Sequence, residues 1–298
     1  MPFPSKTALV TGATSGIGHA LTQRLIANGT FVIAVGRRSD RLSALVAAHG
    51  ADKVAAEPYD VTDLDGMAAW VAKYVPSRPL PPPLPLPHLP ENNYLSYELT
   101  NPRRTKTYPT LDTIILNAGL QRSLDFTSPS SISLPSVSSE LTTNYLSPLH
   151  MITHFLPHLQ SLTNTQAHII LISSGLALVP IPRCPNYCAT KSALHSLAWT
   201  LRAQLEGHSG SSHIRVVEVV PPAVQTELHS QQPDLVAAGQ ANFGTPLDEF
   251  TEEAWAALEA GEHDEIVVGP AKNFAPVEVE RRKAFEKLAA YFRDGAKA

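Results

Sequence analysis

The sequence predicts an α/β protein: a single doubly wound domain over residues 1–298, with a mostly parallel seven-stranded sheet and helices on both faces. Three observations predict it. Short apolar runs alternate with helix-like stretches from Lys6 to about Gly269, the signature of strand–helix–strand units. The first run feeds a glycine-rich turn that opens a helix. At 298 residues, the chain has room for one large domain or two average ones, and the alternation is unbroken outside one proline-rich insertion at about residues 76–110.

Thr7 to Val10 reads as the first strand, and Thr11-Gly12-Ala13-Thr14-Ser15-Gly16-Ile17-Gly18 as the turn. A helix from His19 to Asn28 follows, with Ala20, Leu21, Leu25 and Ile26 at helical spacing and Gly29 as its stop. Gly12 permits the tight turn, Gly16 lets backbone approach a pyrophosphate, and Gly18 lets helix and strand pack closely. The free N–H groups and positive dipole of the helix start then suit phosphate, with Thr14, Ser15 and Ile17 beside it. The second strand, Phe31 to Val35, runs into Gly36-Arg37-Arg38. In such a sheet the residue ending this strand meets the adenosine ribose, where an acid selects NAD and an arginine accommodates the 2′-phosphate. Gly36 removes the acid and Arg37 offers a guanidinium fork, so NADP is expected over NAD.

Between Val75 and Leu111 the pattern lapses, and Pro81 to Pro87 is too proline-dense for a helix or a central strand. An exposed polyproline-like loop is expected there, either a tolerated insertion or a docking segment for a proline-recognising partner. His150, His154 and His158 have the spacing of a metal-binding helix face, but Pro148 and Pro157 argue against a regular helix and no acidic ligand lies between them. No metal is expected; the three read as helix-surface or interface histidines. Cys184 and Cys188 read as two ordinary thiols.

The richest segment is Ile172-Ser173-Ser174, followed thirteen residues later by Tyr187 and then Lys191. Tyrosine and lysine four apart share a helix face. An ammonium near a phenol favours phenolate, so Lys191 is expected to lower the pKa of Tyr187 toward working pH. A tyrosine tuned in this way trades a proton with a carbinol oxygen, which Ser174 holds by hydrogen bond. Near the end, Phe250–Ala260 reads as an amphipathic helix, Glu265 to Gly269 as a seventh strand, and Val277–Phe292 as a charged helix with Phe285, Leu288 and Tyr291 on one side.

With these motifs in place, the chain resembles the short-chain dehydrogenase/reductase family, whose members share a Rossmann-type dinucleotide-binding domain. The resemblance implies that Asp60 and Val61 contact the adenine ring and that Asn117-Ala118-Gly119 supports the sheet beside the cofactor. It implies that the backbone carbonyl of Asn144 holds a water of the proton relay, completing a catalytic set with Ser174, Tyr187 and Lys191. Tyr187 and Lys191 would also touch the cofactor, Lys191 at the nicotinamide ribose, and Thr226 would bind the carboxamide, with Pro221 and Val224 beside it. Family members carry Pro-Gly after the sixth strand, whereas this chain reads Pro221-Pro222. Proline cannot take positive φ and has no N–H, so a different path is expected for that loop. A Pro-Pro version is similar to a subset called DltE-like.

The net charge of −4 and pI near 6.3 offer no electrostatic footprint for nucleic acid or an anionic membrane. No apolar run approaches the roughly 20 residues of a membrane span. The first strand begins too early for a leader peptide, and the final Ala296-Lys297-Ala298 is not a peroxisomal address, so a cytoplasmic protein is expected. Loops at 120–139, 175–186 and 227–245 should line the substrate pocket. Their leucines and Ile181 suggest apolar walls, with Arg183 on the rim. The expected function is an NADP-dependent oxidoreductase acting on an uncharged, rather apolar carbonyl or secondary alcohol, as a homodimer or homotetramer. The alternatives are an NADP-binding redox sensor or scaffold without turnover, and an interaction protein acting through its proline-rich loop.

Overall fold

The computed structural model describes residues 3–75 and 108–295. Seven strands form one parallel sheet: β1 (Thr7–Thr11), β2 (Phe31–Gly36), β3 (Val54–Pro58), β4 (Leu111–Leu116), β5 (Ala167–Ile172), β6 (Ile214–Val220) and β7 (Glu265–Val267). Their order is β3-β2-β1-β4-β5-β6-β7, and the reversal between β1 and β4 is the switch point where an open α/β sheet leaves a crevice. The strands are apolar on both faces because helices cover both, as parallel sheets require. Leu9, Ile33, Ile114, Ile169 and Val216 point to one face, and Val10, Val32, Ile115, Ile170 and Val217 to the other.

Helices α1 (Gly16–Ala27) and α2 (Ser39–His49) cover the second face, while α3 (Leu64–Val71) covers the first. Next come α4 (Leu134–Leu141), a π-helical segment (Thr142–Leu146) and α5 (Ser147–Ser161), which run on as one helical rod; α6 (Pro185–Glu206) lies beside α5 on the first face. Short α7 (Glu227–Ser230) and α8 (Pro233–Ala237) follow β6; α9 (Leu247–Ala260) packs on α1, and α10 (Val279–Gly295) ends the described chain.

Several expectations change. α1 begins at Gly16, inside the turn, rather than at His19. α5 is a helix despite its two prolines. Pro148 sits in the first turn and Pro157 on the exposed side, where the carbonyl it leaves unbonded, that of Thr153, belongs to an exposed residue. His158 is not a surface histidine: it is buried, with Nε2 2.8 Å from the Leu111 carbonyl. His150, His154 and His158 therefore do not converge on one point. In the stripe of α10 only Phe285 packs, 5.4 Å from the Trp199 ring, while Tyr291 is 72% exposed.

Residues 76–107, which carry the proline-rich run, lie outside the described residues. The Tyr108 N–H donates to the Tyr74 carbonyl at 2.7 Å, so the chain leaves and rejoins the fold at one point. That point is at the amino end of β4, away from the carboxyl ends of the strands. No helix among the described residues is long and apolar enough to cross a membrane.

Candidate active site

A cleft of about 1180 Å³ opens over the carboxyl ends of the strands. One end is the glycine turn. Gly12 has φ +68°, open to glycine and strained for any other residue. A Cβ on Gly18 would fall 2.3 Å from Asn117 Nδ2 and 2.4 Å from the Gly12 carbonyl oxygen. Asn117 pins the turn to β4: its Nδ2 donates to the Thr11 carbonyl at 3.0 Å, and its backbone N–H to Thr11 Oγ1 at 2.9 Å. Ser15, the residue before α1, gives that helix no side-chain cap, so the N–H groups of the first turn face the cleft without a side-chain acceptor. An uncapped start beside a glycine cradle fits a pyrophosphate.

At the end of β2, Gly36 lies against Thr14, and Arg37 and Arg38 diverge. Arg37 is 65% exposed at the cleft edge, 3.8 Å from Asp60. Arg38 turns inward, donating to Thr14 Oγ1 and to Ser15 Oγ. Arg38 and Arg41 each place a guanidinium nitrogen 2.6 Å from a different oxygen of Glu227 at the start of α7. Burial pushes the Glu227 carboxyl up, but the two arginines hold it below its ordinary value. Asp60 accepts from the Thr62 N–H and hydroxyl, with Val61 buried beside it.

The other half of the cleft holds Ser174, Tyr187 and Lys191. Ser174 lies two residues past the end of β5, and Tyr187 and Lys191 share the sheet-facing side of α6, both buried. Lys191 Nζ donates to the Ile172 carbonyl at 2.8 Å and lies 5.7 Å from the centre of the Tyr187 ring. The expected lowering of the phenol pKa is not what this environment produces. Burial pushes Tyr187 well above its ordinary value, with the Ser174 hydrogen bond pulling the other way. Burial also lowers Lys191 to about 8, and Glu218 opposes that fall. Desolvation of both groups outweighs their mutual influence.

Asn144 and Gly18 lie behind the cleft wall rather than on it. The Asn144 side chain accepts from the Leu120 N–H at 2.8 Å and donates to the Leu120 carbonyl and to Thr190 Oγ1, fixing the Gly119 loop to α6. Its backbone sits in the π-helical segment, and Pro148, four residues on, has no N–H to offer the Asn144 carbonyl. Asn117, Ala118 and Gly119 line the floor, and Pro221, Val224 and Thr226 the far side. The Pro221-Pro222 loop is held by three backbone bonds, Gly175 N–H to the Pro221 carbonyl, Thr245 N–H to the Ala223 carbonyl and Gln225 N–H to the Thr245 carbonyl.

Arg183 is not at a free rim. It makes a two-pronged contact with Asp234 of α8, at 2.8 and 3.0 Å, and reaches Gln232, which itself donates to Gln121. This bridge, like Glu227, escaped the sequence reading because its members are far apart in the chain. Cys184 and Cys188 are buried free thiols next to Tyr187, and burial pushes Cys184 up to about 12.

Residues 6–77 and 102–235 match the family described as short chain dehydrogenase. The chain is 30% identical over 264 residues to an uncharacterized oxidoreductase, DltE, of Bacillus subtilis (strain 168), covering 89% of this chain and 88% of that one. Among solved structures it is similar to a short chain dehydrogenase from Burkholderia cenocepacia J2315 in complex with NADP, at TM-score 0.68 and 23% identity over 97% of this chain and 99% of that one. It is also similar to one from Burkholderia phymatum in complex with NAD, at TM-score 0.71 and 18% identity over 96% of each. The fold, the cleft and the matched residues agree, and the chain belongs to the short-chain dehydrogenase family of oxidoreductases.

Proposed function

We propose that the protein is an NADP-dependent oxidoreductase that interconverts a carbonyl and a secondary alcohol, with Ser174, Tyr187, Lys191 and Asn144 as its catalytic set. One observation carries the reading: Tyr187 and Lys191 reach from α6 into the cleft that begins at the glycine turn. The nicotinamide, when bound, supplies or accepts the hydride. Everything else falls to the chain. The Tyr187 hydroxyl gives its proton to the carbonyl oxygen in reduction and takes one from the alcohol in oxidation. Ser174 polarises that oxygen, Lys191 holds ribose hydroxyls and positive charge beside the phenol, and the Asn144 carbonyl, left without its α-helical donor, suits a relay water.

The cofactor would lie along the glycine turn from Gly12 to Gly18, with Asp60 and Val61 at the adenine and Thr226 at the nicotinamide. Arg37 supports the NADP choice, since it stands exposed at the end of β2 with only a 3.8 Å contact to Asp60. An uncharged substrate is supported by Arg183, whose charge is matched by Asp234, and by the apolar Leu176, Ile181 and Phe274 on the cleft wall. Tyr187→Phe should abolish NADP-dependent turnover across a panel of ketones, aldehydes and secondary alcohols while leaving NADP binding intact. Undiminished turnover in that variant overturns the assignment. A wild-type protein that binds NADP and turns over nothing in the panel would instead favour a sensor.

A further inference from the structure

Behind Lys191, on the side away from the cleft, lies a group of buried ionisable residues that the mechanism above does not use. Glu218 sits on β6, on the same face as Val216, and so looks toward α6. His195 is one helical turn after Lys191 on α6, and its Nδ1 is 2.9 and 3.0 Å from the two Glu218 carboxylate oxygens. Both side chains are fully buried.

The neighbouring charges divide into pairs. Glu278, before α10, is paired with Arg281 at 3.0 Å, and Glu265 of β7 with Arg282 at 2.6 Å; Glu265 also accepts from Trp199 Nε1. Arg281 and Arg282 flank the Trp199 ring at 5.0 and 4.7 Å. His195 Nε2 points toward Glu278 at 3.5 Å. Farther along β6, Arg215 is paired with Asp264, and Arg202 is held by the Val216 and Asp264 carbonyls. On the cleft side, Glu140, Cys184 and Cys188 face Tyr187. Among the described residues, Glu218 is thus a buried carboxylate with no arginine ion pair; it is held by His195, and Lys191 stands one turn earlier on the same helix. His195, Glu218 and Glu265 also bring donor atoms within 4.8 Å of one another, but Arg282 and Trp199 already occupy Glu265, so a charge relay fits better than a cation site.

We propose that Glu218, oriented by His195, is a positioning residue for catalysis: it supplies the counter-charge of the buried Lys191 ammonium from behind the active site. A fully buried ammonium costs too much without an opposite charge nearby. The Ile172 carbonyl gives Lys191 a hydrogen bond but no charge, and Glu218 is the acid that acts on it to keep it protonated. His195 fixes the carboxylate; burial pushes this imidazole down, but the Glu218 bond and the charges of Glu218, Glu265 and Glu278 hold it above its ordinary value. The inference rests on the role given to Lys191 above.

The test is the pH profile of turnover with saturating NADPH and a ketone from the panel. Glu218→Gln keeps the shape and removes the charge, so Lys191 loses its proton more readily. The alkaline limb should move to lower pH by about one unit, while Glu218→Asp stays near wild type. His195→Gln, which retains an N–H donor and removes the competing cation, leaves Lys191 as the sole partner of the carboxylate and should move the limb to higher pH. It also serves if Glu218→Gln does not fold. A limb that stays in place while kcat or Tm falls makes Glu218 merely structural and overturns the proposal. Turnover in Tyr187→Phe defeats the underlying mechanism instead, so the two failures are distinguishable.

Discussion

Gly18→Ala is the sharpest test of how the cofactor turn is built. Gly18 is in α1 with ordinary helical geometry, so the substitution carries no backbone strain and only space is at issue. The new methyl would stand 2.4 Å from the Gly12 carbonyl oxygen and 2.3 Å from Asn117 Nδ2. Ordinary contact needs about 1 Å more, and the obstruction is backbone on one side and a hydrogen-bonded amide on the other. Overpacking of this kind costs about 1–3 kcal/mol. Pushing Asn117 off the Thr11 carbonyl adds about 0.5–1.5 kcal/mol. A total of roughly 2–4 kcal/mol should lower Tm by about 5–15 °C at about 2–4 °C per kcal/mol. If the turn yields instead, the strain appears as cofactor affinity, at a tenfold loss per about 1.4 kcal/mol. Thermal melts and NADP titrations of Gly18→Ala separate the two routes. Gly119→Ala is the control for the thermal melts alone, because its Cβ would meet nothing closer than 3.5 Å. A Gly18→Ala protein with unchanged Tm and unchanged NADP affinity refutes the packing argument.

Two other outcomes follow from the same cleft. Arg37→Ala should raise the KM for NADP about 10- to 100-fold, the value of one charge-assisted contact of about 1.5–3 kcal/mol, and leave NAD kinetics alone; equal effects on both cofactors would remove Arg37 from the 2′-phosphate site. The pH dependence should split by direction. Burial raises Tyr187 and lowers Lys191 to about 8, so both keep their protons at neutral pH and Lys191 gives up its own first, from about 8 upward. Carbonyl reduction relies on the Lys191 charge beside the phenol and should decline above about 8, whereas alcohol oxidation needs Tyr187 without its proton, should be the slower direction at neutral pH, and should rise only in more alkaline solution. Parallel profiles in the two directions would contradict this.

The sheet and the glycine turn were legible because their signals are local. Thr7 to Val10 declares a strand by its apolar run, and Gly12, Gly16 and Gly18 declare a turn by spacing alone. The Tyr187–Lys191 pair was legible for the same reason, since both side chains lie one turn apart on one helix. Charge partners were not legible. Arg38 meets Glu227 from 189 positions away, Arg183 meets Asp234 across 51, and His195 meets Glu218 across 23. No periodicity links such positions; only the folded chain brings them together. The prolines of α5 misled for a different reason, because a proline's effect depends on which face of the helix it occupies, and the sequence leaves that open until burial is known.

The largest change of view concerns the phenol itself. Proximity in sequence suggests that Lys191 acidifies Tyr187, and in water it would. In this wall both groups are buried, and desolvation favours the neutral form of each: the phenol keeps its proton and the amine holds its own less firmly. If the pair acts as proposed, it needs charge from elsewhere to stay poised in that condition. On the phenol side, the Ser174 hydrogen bond carries no charge but offsets part of the effect of burial. On the amine side, the proposed source is the Glu218 carboxylate, which among the described residues is buried without an arginine while Glu265 and Glu278 each have one. On the proposed mechanism, the poise of Lys191 therefore belongs less to the four-residue spacing on α6 than to the carboxylate on the strand behind it.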